Sequence, residues 1–203
     1  LINSKGVLHS GRKDLTPEQM TYAQPENRIA GWPRTNNGNV GLADVIGQID
    51  ATILIGLSTV SGAFSEIIVL EMARKVERPI IFPLSNPTSK SEATAEDLIR
   101  WTDGRALVAT GSPFAPVDYG GRTIPIAQCN NVYIFPAMGL GVVASRARRV
   151  TDSMMLAAAR TLAGNSPALK DSFACLLPRL THLRRVAAEI AVAVGIAAQK
   201  DGV

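Results

Sequence analysis

The fold class of this chain is indicated by one stretch of its sequence, Thr52-Ile53-Leu54-Ile55-Gly56-Leu57 followed by Ser58-Thr59-Val60-Ser61-Gly62-Ala63-Phe64. Its first six residues form a short apolar run with β-branched side chains, which predicts a strand buried on both faces. Its second part is a loop of small residues that leads into a helix predicted over 64–75, where apolar residues recur at helical spacing. Strand, small-residue turn and helix in this order predict a parallel α/β sheet.

Similar runs recur along the chain. Residues 79–84 and 106–110 predict two further strands, and 6–9 predict a weaker one. Capping patterns at Thr16 and Thr94 predict helices between these strands. Alanine-rich segments at 133–145, 152–163 and 184–199 predict helices in the last third. The expected fold class is α/β, a Rossmann-like parallel sheet flanked by helices in three layers, incomplete, and followed by C-terminal helices. We expect one domain over 1–131 and a group of helices over 132–203 that packs on it.

Composition excludes several classes of protein. A chain of 203 residues that is 46% hydrophobic is too apolar for a disordered tail, and two cysteines are too few for a disulfide scaffold. The longest apolar run, 190–198, has about nine residues, whereas a membrane span needs about twenty. The net charge of +4 is small, and the arginines cluster without interleaved aromatic residues, so no nucleic-acid partner is expected. Without a secretory signal, a soluble cytoplasmic protein with reduced thiols is expected.

Ligands of parallel α/β sheets bind at the carboxyl ends of the strands, where polar residues occur in this chain. Gly56 opens the loop before the predicted helix, Asn86 follows the second strand, and Asn130-Asn131 precede a later helix. Each has a structural alternative. A glycine at a strand-to-helix turn often only relieves crowding, Asn86 suits an Asx turn, and an asparagine before a helix is often a cap. No G-x-G-x-x-G dinucleotide fingerprint is present.

Several motifs together resemble the malic enzymes. They are Leu84-Ser85-Asn86-Pro87-Thr88, Ala109-Thr110-Gly111-Ser112-Pro113-Phe114 and Gln128-Cys129-Asn130-Asn131-Val132-Tyr133-Ile134-Phe135-Pro136, with Ser4-Lys5-Gly6, Gly11-Arg12 and the loop that begins at Gly56. The resemblance runs from residue 1 to about residue 199 in the order and near the spacing of the family. The segments 125–131 and Trp101-Thr102-Asp103-Gly104 are most similar to the bacterial NAD-linked type.

The resemblance implies oxidative decarboxylation of L-malate to pyruvate and CO2, with reduction of a nicotinamide cofactor and a Mg or Mn ion that polarises the substrate. It implies substrate binding by Asn86, Asn130 and Asn131. It implies cofactor binding by Asn3, Ser4, Leu57, Ser58, Thr59, Asn86 and Asn131. The full-length protein is expected to be a homo-oligomer.

The same resemblance implies that this chain lacks the catalytic groups and metal ligands of the family. In the family, the general acid and base, the acidic metal ligands and the glycine-rich fingerprint lie upstream of the segment that residue 1 resembles. We therefore expect a C-terminal part of a malic enzyme, inactive alone, with no catalytic residue and no metal ligand of its own. Its acidic residues are predicted to occupy solvated helix faces: Glu66, Glu71, Glu92, Glu96 and Asp97. The alternative is a noncatalytic nucleotide-binding module or a regulatory relative of the same fold.

The choice between NAD and NADP stays open in the sequence. An acidic residue after the second strand of a dinucleotide fold binds the ribose diol of NAD, whereas basic and hydroxyl groups suit the 2′-phosphate of NADP. Asn3 departs from the acid, Ser4 and Lys5 are similar to NADP-linked members, and the later motifs are similar to NAD-linked ones. NAD is the expected cofactor and NADP the alternative.

Overall fold

A computed structural model describes the whole chain, residues 1–203. The eight strands are β1 (Ile2–Asn3), β2 (Gly6–Val7), β3 (Ile53–Gly56), β4 (Ile80–Pro83), β5 (Leu107–Thr110), β6 (Val117–Tyr119), β7 (Arg122–Ile124) and β8 (Ala127–Gln128). The seven α-helices are α1 (Pro17–Thr21), α2 (Leu42–Gln48), α3 (Glu66–Lys75), α4 (Ala95–Trp101), α5 (Phe135–Ser145), α6 (Asp152–Gly164) and α7 (Leu183–Asp201). The strands and helices predicted from the sequence are present, with bounds shifted by a few residues. Helix α2, strands β1 and β8, and the β6–β7 hairpin were not predicted.

Four parallel strands form the main sheet, in the order β3-β4-β5-β8. The strands are short, and β4 is joined to β3 through four residue pairs, from Ile53↔Ile80 to Gly56↔Pro83. This parallel sheet with flanking helices confirms the predicted Rossmann-like class. The hairpins β1–β2 and β6–β7 form two separate antiparallel sheets of two strands each.

Strand β3 is not buried on both faces, and that prediction was wrong. Leu54 and Gly56 are buried, but Ile53 and Ile55 are 53% and 54% exposed. Strand β3 lies at one end of the strand order, and only one of its faces is covered by this chain. An apolar run alone does not distinguish this case from a strand that is covered on both sides.

The chain divides into two compact units, unit 1 (Leu1–Val108) and unit 2 (Ala109–Val203). The division falls within β5. The domain boundary predicted between 131 and 132 stays a prediction.

Unit 1 is held by an apolar core and by cations that cap helix ends. Val7, Ile29 and Val40 form a small buried cluster near the start of the chain. The ammonium group of Lys75 donates to the carbonyls of Ile46 and Gly47, both at 2.8 Å, at the end of α2. These carbonyls have no partner within the helix, so a cation at this position satisfies them and stabilises the helix end.

Unit 2 is built on the packing of α5 and α6 against α7. Buried side chains from all three helices form its core: Ala137, Met138, Met154, Ala158, Val186, Ile190, Val194 and Ala198. Helices α5 and α7 approach closely at Gly141, where an added Cβ would lie 2.7 Å from the Cβ of Val194 and 2.8 Å from the carbonyl oxygen of Ala191. A glycine is therefore required there by the distance between the helices.

None of the helices combines the length and the apolar character that crossing a membrane would require. Cys129 and Cys175 are both free thiols.

Candidate functional site

The loop after β3 exposes several of the residues predicted to bind the cofactor. Leu57 is 76% exposed, and Ser58 and Thr59 are exposed beside it. Thr59 has a φ of 57°, a left-handed conformation that β-branched residues rarely adopt. Its backbone N–H donates to Ser85 Oγ at 2.9 Å, and this bond helps to hold the conformation. The loop therefore presents an apolar side chain and a hydroxyl to solvent on a fixed backbone.

Glu92 lies beneath this loop, and its predicted place on a solvated helix face was wrong. The residue is fully buried, and it precedes α4 rather than belonging to the helix. Its Oε1 accepts from the backbone N–H of Ser58 at 2.7 Å and from the Ser58 hydroxyl at 2.8 Å. Burial by itself would raise the pKa of Glu92, but hydrogen bonds from Ser85 and Ser58 offset this and keep the pKa below its ordinary value. Glu92 is therefore an ionised carboxylate at neutral pH.

The turn after β4 brings Ser85 and Asn86 to the same edge of the sheet. Ser85 is buried, and its hydroxyl donates to Glu92 Oε1 at 2.5 Å. Asn86 is exposed, with its amide nitrogen 3.4 Å from the carbonyl oxygen of Leu84 and a cis peptide bond to Pro87. Since β3 and β4 are parallel neighbours, the loop at Ser58 and the turn at Asn86 follow the same ends of adjacent strands.

The β1–β2 hairpin positions Asn3 and Ser4. Asn3 Oδ1 accepts from the backbone N–H of Lys5 at 3.0 Å and from Arg12 Nη1 at 3.1 Å. The side chains of Arg12 and Lys5 both pair with Asp14, each at 2.9 Å, and they hold the pKa of that carboxyl well below its usual range. The cations beside Asn3 and Ser4 therefore already have a carboxylate partner.

In unit 2, the two adjacent asparagines have different surroundings. Asn130 Oδ1 accepts from the backbone N–H of Val132 at 2.9 Å, which is the local cap that the structural alternative describes. Asn131 begins a short 3₁₀ turn and is exposed. Asn130 also borders a mostly apolar cleft of about 700 Å³, whose wall includes Tyr133 and Arg179.

Tyr133 is fixed at the wall of this cleft. Its hydroxyl donates to the carbonyl of Pro178 at 2.6 Å, and burial, with the nearby thiols Cys175 and Cys129, raises its pKa. The phenol therefore stays protonated at neutral pH and acts as a structural donor.

The chain contains no cluster of three or more His, Cys, Asp or Glu side chains that could hold a metal ion. The residues present therefore do not fit a complete metal site. His9 is mostly buried, with its Nδ1 3.9 Å from Glu26 Oε1.

Glu92, Ser85 and Asp14 were missed as candidate site residues in the sequence. A signal for Glu92 exists, because Thr94 is the N-cap of α4 and a residue two positions earlier cannot lie on a helix face. Asp14 pairs with Arg12, two positions earlier, and with Lys5, nine positions earlier, and no secondary-structure pattern in the sequence identifies this pairing.

Comparison with known proteins places the chain among the malic enzymes. The family model described as malic enzyme, NAD binding domain, matches residues 1–199. An NAD-dependent malic enzyme of Edwardsiella ictaluri (strain 93-146) is 50% identical over 203 residues, which is 100% of this chain and 36% of the relative. The NAD-dependent malic enzyme of Pseudomonas syringae pv. tomato is 47% identical over 202 residues, with the same two shares. The chain thus spans 36% of the length of these curated relatives.

Solved structures agree with the sequence relatives. The crystal structure of Entamoeba histolytica malic enzyme matches with a TM-score of 0.71 at 27% identity, over 97% of this chain and 36% of that one. The malic enzyme of Pyrococcus horikoshii Ot3 matches with a TM-score of 0.61 at 28% identity, over 83% of this chain and 34% of that one. These matches confirm the resemblance seen in the motifs: the chain belongs to the malic enzyme NAD-binding domain family.

Proposed function

We propose that this chain is the NAD-binding part of an enzyme that converts L-malate to pyruvate and CO2 by oxidative decarboxylation, with reduction of NAD. The observation that carries the proposal is the pair of polar segments at the ends of two adjacent parallel strands, in a chain of this family. The loop with Leu57, Ser58 and Thr59 follows β3, and Asn86 follows β4.

The loop after β3 fits a dinucleotide. A nucleotide offers a flat apolar base or nicotinamide ring together with hydroxylated ribose, and the loop offers the exposed aliphatic side chain of Leu57 together with the hydroxyl of Thr59. In the proposal, Leu57, Ser58 and Thr59 contact the cofactor and Asn3 and Ser4 bind its ribose. Bound NAD supplies the acceptor for the hydride that leaves C2 of malate.

Asparagine amides hold the substrate in this proposal. Asn86, Asn130 and Asn131 orient malate, and Asn86 and Asn131 also contact the cofactor. A neutral amide can donate to a carboxylate and accept from a hydroxyl without adding a charge. Fixing the substrate beside the hydride acceptor lowers the barrier through orientation.

NAD rather than NADP is the proposed cofactor. The 2′-phosphate of NADP needs cations that are not already paired, and Lys5 and Arg12 both pair with Asp14. The NAD-dependent relatives support the same choice. In the proposal, the general acid and base and the ligands of a Mg or Mn ion come from residues outside this chain, and the enzyme is a cytoplasmic homo-oligomer.

Kinetics of the whole enzyme that carries this chain test the proposal. We expect malate-dependent NADH formation with pyruvate as product, and little or no turnover by the 203 residues alone. Asn86→Ala or Asn131→Ala should weaken transition-state binding by about 2 to 4 kcal/mol, which is a fall in kcat/KM for malate of roughly 30-fold to 1,000-fold. Glu96→Ala is the control, because Glu96 only pairs with Arg100 on an exposed face of α4. Unchanged malate kinetics in both asparagine variants would contradict these roles, and NADH binding without any turnover would favour the noncatalytic alternative.

A further inference from the structure

The carboxylate of Glu92 is buried without a cation. Its side chain accepts hydrogen bonds from Ser58 and Ser85, through two hydroxyls and two backbone N–H groups. None of the ion pairs of the chain includes Glu92. Burying a charge without a countercharge is unfavourable unless donors surround it, and an apolar side chain would fill the same space at lower cost. A role beyond packing would explain why an acid occupies this position.

The contacts of Glu92 join the two segments that follow β3 and β4. One oxygen, Oε1, binds Ser58 in the first segment and the hydroxyl of Ser85 in the second. The Ser85 hydroxyl in turn accepts from the N–H of Thr59 at 2.9 Å. A single carboxylate oxygen therefore fixes the distance between the loop of Ser58 and the turn of Asn86.

The backbone of Glu92 fixes the far end of the same loop. Its carbonyl accepts from the N–H of Phe64 at 3.0 Å, so that Glu92 holds the loop near both of its ends. Gly56 provides the space for this arrangement, because an added Cβ there would lie 2.5 Å from the Glu92 carboxyl carbon. The absence of a side chain at the end of β3 thus lets the carboxylate reach Ser58.

We propose that Glu92 is a positioning residue, whose carboxylate holds the cofactor loop at Ser58–Thr59 and the Asn86 turn in the one relative arrangement that hydride transfer needs. The inference rests on the proposed function, because it assumes that these two segments contact the cofactor and the substrate. It predicts that neutralising Glu92 disturbs NAD-dependent kinetics beyond any loss of stability.

Asp44 offers a matched control in the same unit. Its carboxylate is also buried and cation-free, and it accepts from Thr35 N–H at 3.0 Å, Thr35 Oγ1 at 2.8 Å and Gly41 N–H at 2.8 Å. These bonds cap α2 and contact neither Ser58 nor Asn86. Asp44→Asn and Glu92→Gln each remove the negative charge that strengthens the hydrogen bonds which a buried carboxylate accepts. The two substitutions therefore impose similar defects at different places.

The test compares Glu92→Gln, Asp44→Asn and wild type in the whole enzyme, by thermal unfolding, by NADH binding and by steady-state kinetics. Both variants should lose stability. Glu92→Gln should lower kcat/KM for NAD by about 10-fold to 100-fold, the range for a misplaced reacting group, while Asp44→Asn stays within about twofold of wild type. Equal kinetic losses in the two variants, or wild-type kinetics in folded Glu92→Gln, would overturn the inference.

Ser85→Ala covers the case in which Glu92→Gln does not fold. It removes the hydroxyl that links Glu92 to Thr59 but leaves the carboxylate bound to Ser58, so a smaller loss of kcat/KM for NAD is expected, and wild-type values would overturn the inference. Failure of the proposed function gives another result: the wild-type enzyme would neither bind NADH nor oxidise malate. That result would also overturn the inference about Glu92.

Discussion

The strand ends of unit 1 and the helical core of unit 2 differ in what they bury, a charged group in the first and apolar side chains in the second. At the strand ends, a buried carboxylate is surrounded by donors, and an exposed loop with a left-handed threonine lies above it. In the helical core, buried apolar side chains of α5, α6 and α7 pack together, and Gly141 allows close approach. Burying the carboxylate at the strand ends contributes little net stability, whereas burying the apolar side chains in the helical core stabilises the fold.

This difference indicates which region contributes to stability and which contributes to ligand binding. Apolar burial stabilises a structure roughly in proportion to the area removed from water, whereas a buried charge without a cation gives little net stability. We therefore expect substitutions in the helical core to change stability and substitutions at the strand ends to change ligand binding.

Ile190→Ala should lower the free energy of unfolding by about 2 to 5 kcal/mol, because it leaves a cavity in the core of unit 2. Ile190 is fully buried on α7. Urea unfolding followed by circular dichroism measures the change. Val192→Ala on the same helix is the control, since Val192 is 63% exposed and its truncation should cost no more than about 0.5 kcal/mol. Equal losses in the two variants would break the comparison.

Gly141→Ala should destabilise the protein by about 1 to 3 kcal/mol, because the methyl group would overlap Val194 and the backbone of α7. Gly139→Ala, two residues earlier in α5, has no atom near the added group and should stabilise by about 0.5 to 1 kcal/mol through helix propensity. The midpoint of thermal unfolding should therefore move in opposite directions. A stabilising Gly141→Ala would show that α5 and α7 can separate without cost.

Asp14→Asn should change cofactor choice with little effect on stability. The substitution leaves Lys5, whose side chain is 68% exposed, without its carboxylate, so this cation becomes available to a 2′-phosphate. Because an exposed ion pair such as Lys5–Asp14 contributes only about 0.2 to 1 kcal/mol, KM for NADP should fall by only a few-fold. Stability should change little, since Arg12 keeps its hydrogen bonds to Asn3, Gly6 and Val7. Steady-state kinetics with each cofactor measure the ratio, and an unchanged NADP KM would separate Asp14 from cofactor choice.

The sequence was most informative where local rules decide the structure. Thr16 forms a capping box with Gln19 at the start of α1, and Thr94 caps α4, both as their spacing predicts. The apolar runs located β3, β4 and β5. The caps depend on contacts between residues that are close in the chain, and each strand appears in the sequence as one short apolar run.

Contacts between distant residues could not be predicted in the same way. Glu92 reaches Ser58, 34 positions earlier, and no local pattern reports that distance. Helix α2 was missed because its N-cap is Gly41, which offers no side-chain cap, while the buried Asp44 supplies the hydrogen bond instead. The sequence predicted that Asn86 follows a strand and that Asn131 precedes a helix. It did not predict that the Glu92 carboxylate lies beneath the loop at Ser58.

Hydrogen exchange of the whole enzyme, measured with and without NADH, shows whether the strand ends of unit 1 hold the cofactor. We predict slower exchange in peptides that cover 57–64 and 84–88 when NADH is bound, and unchanged exchange in peptides that cover α6. Protection that is absent from 57–64 and 84–88, although NADH is bound, would contradict the claim.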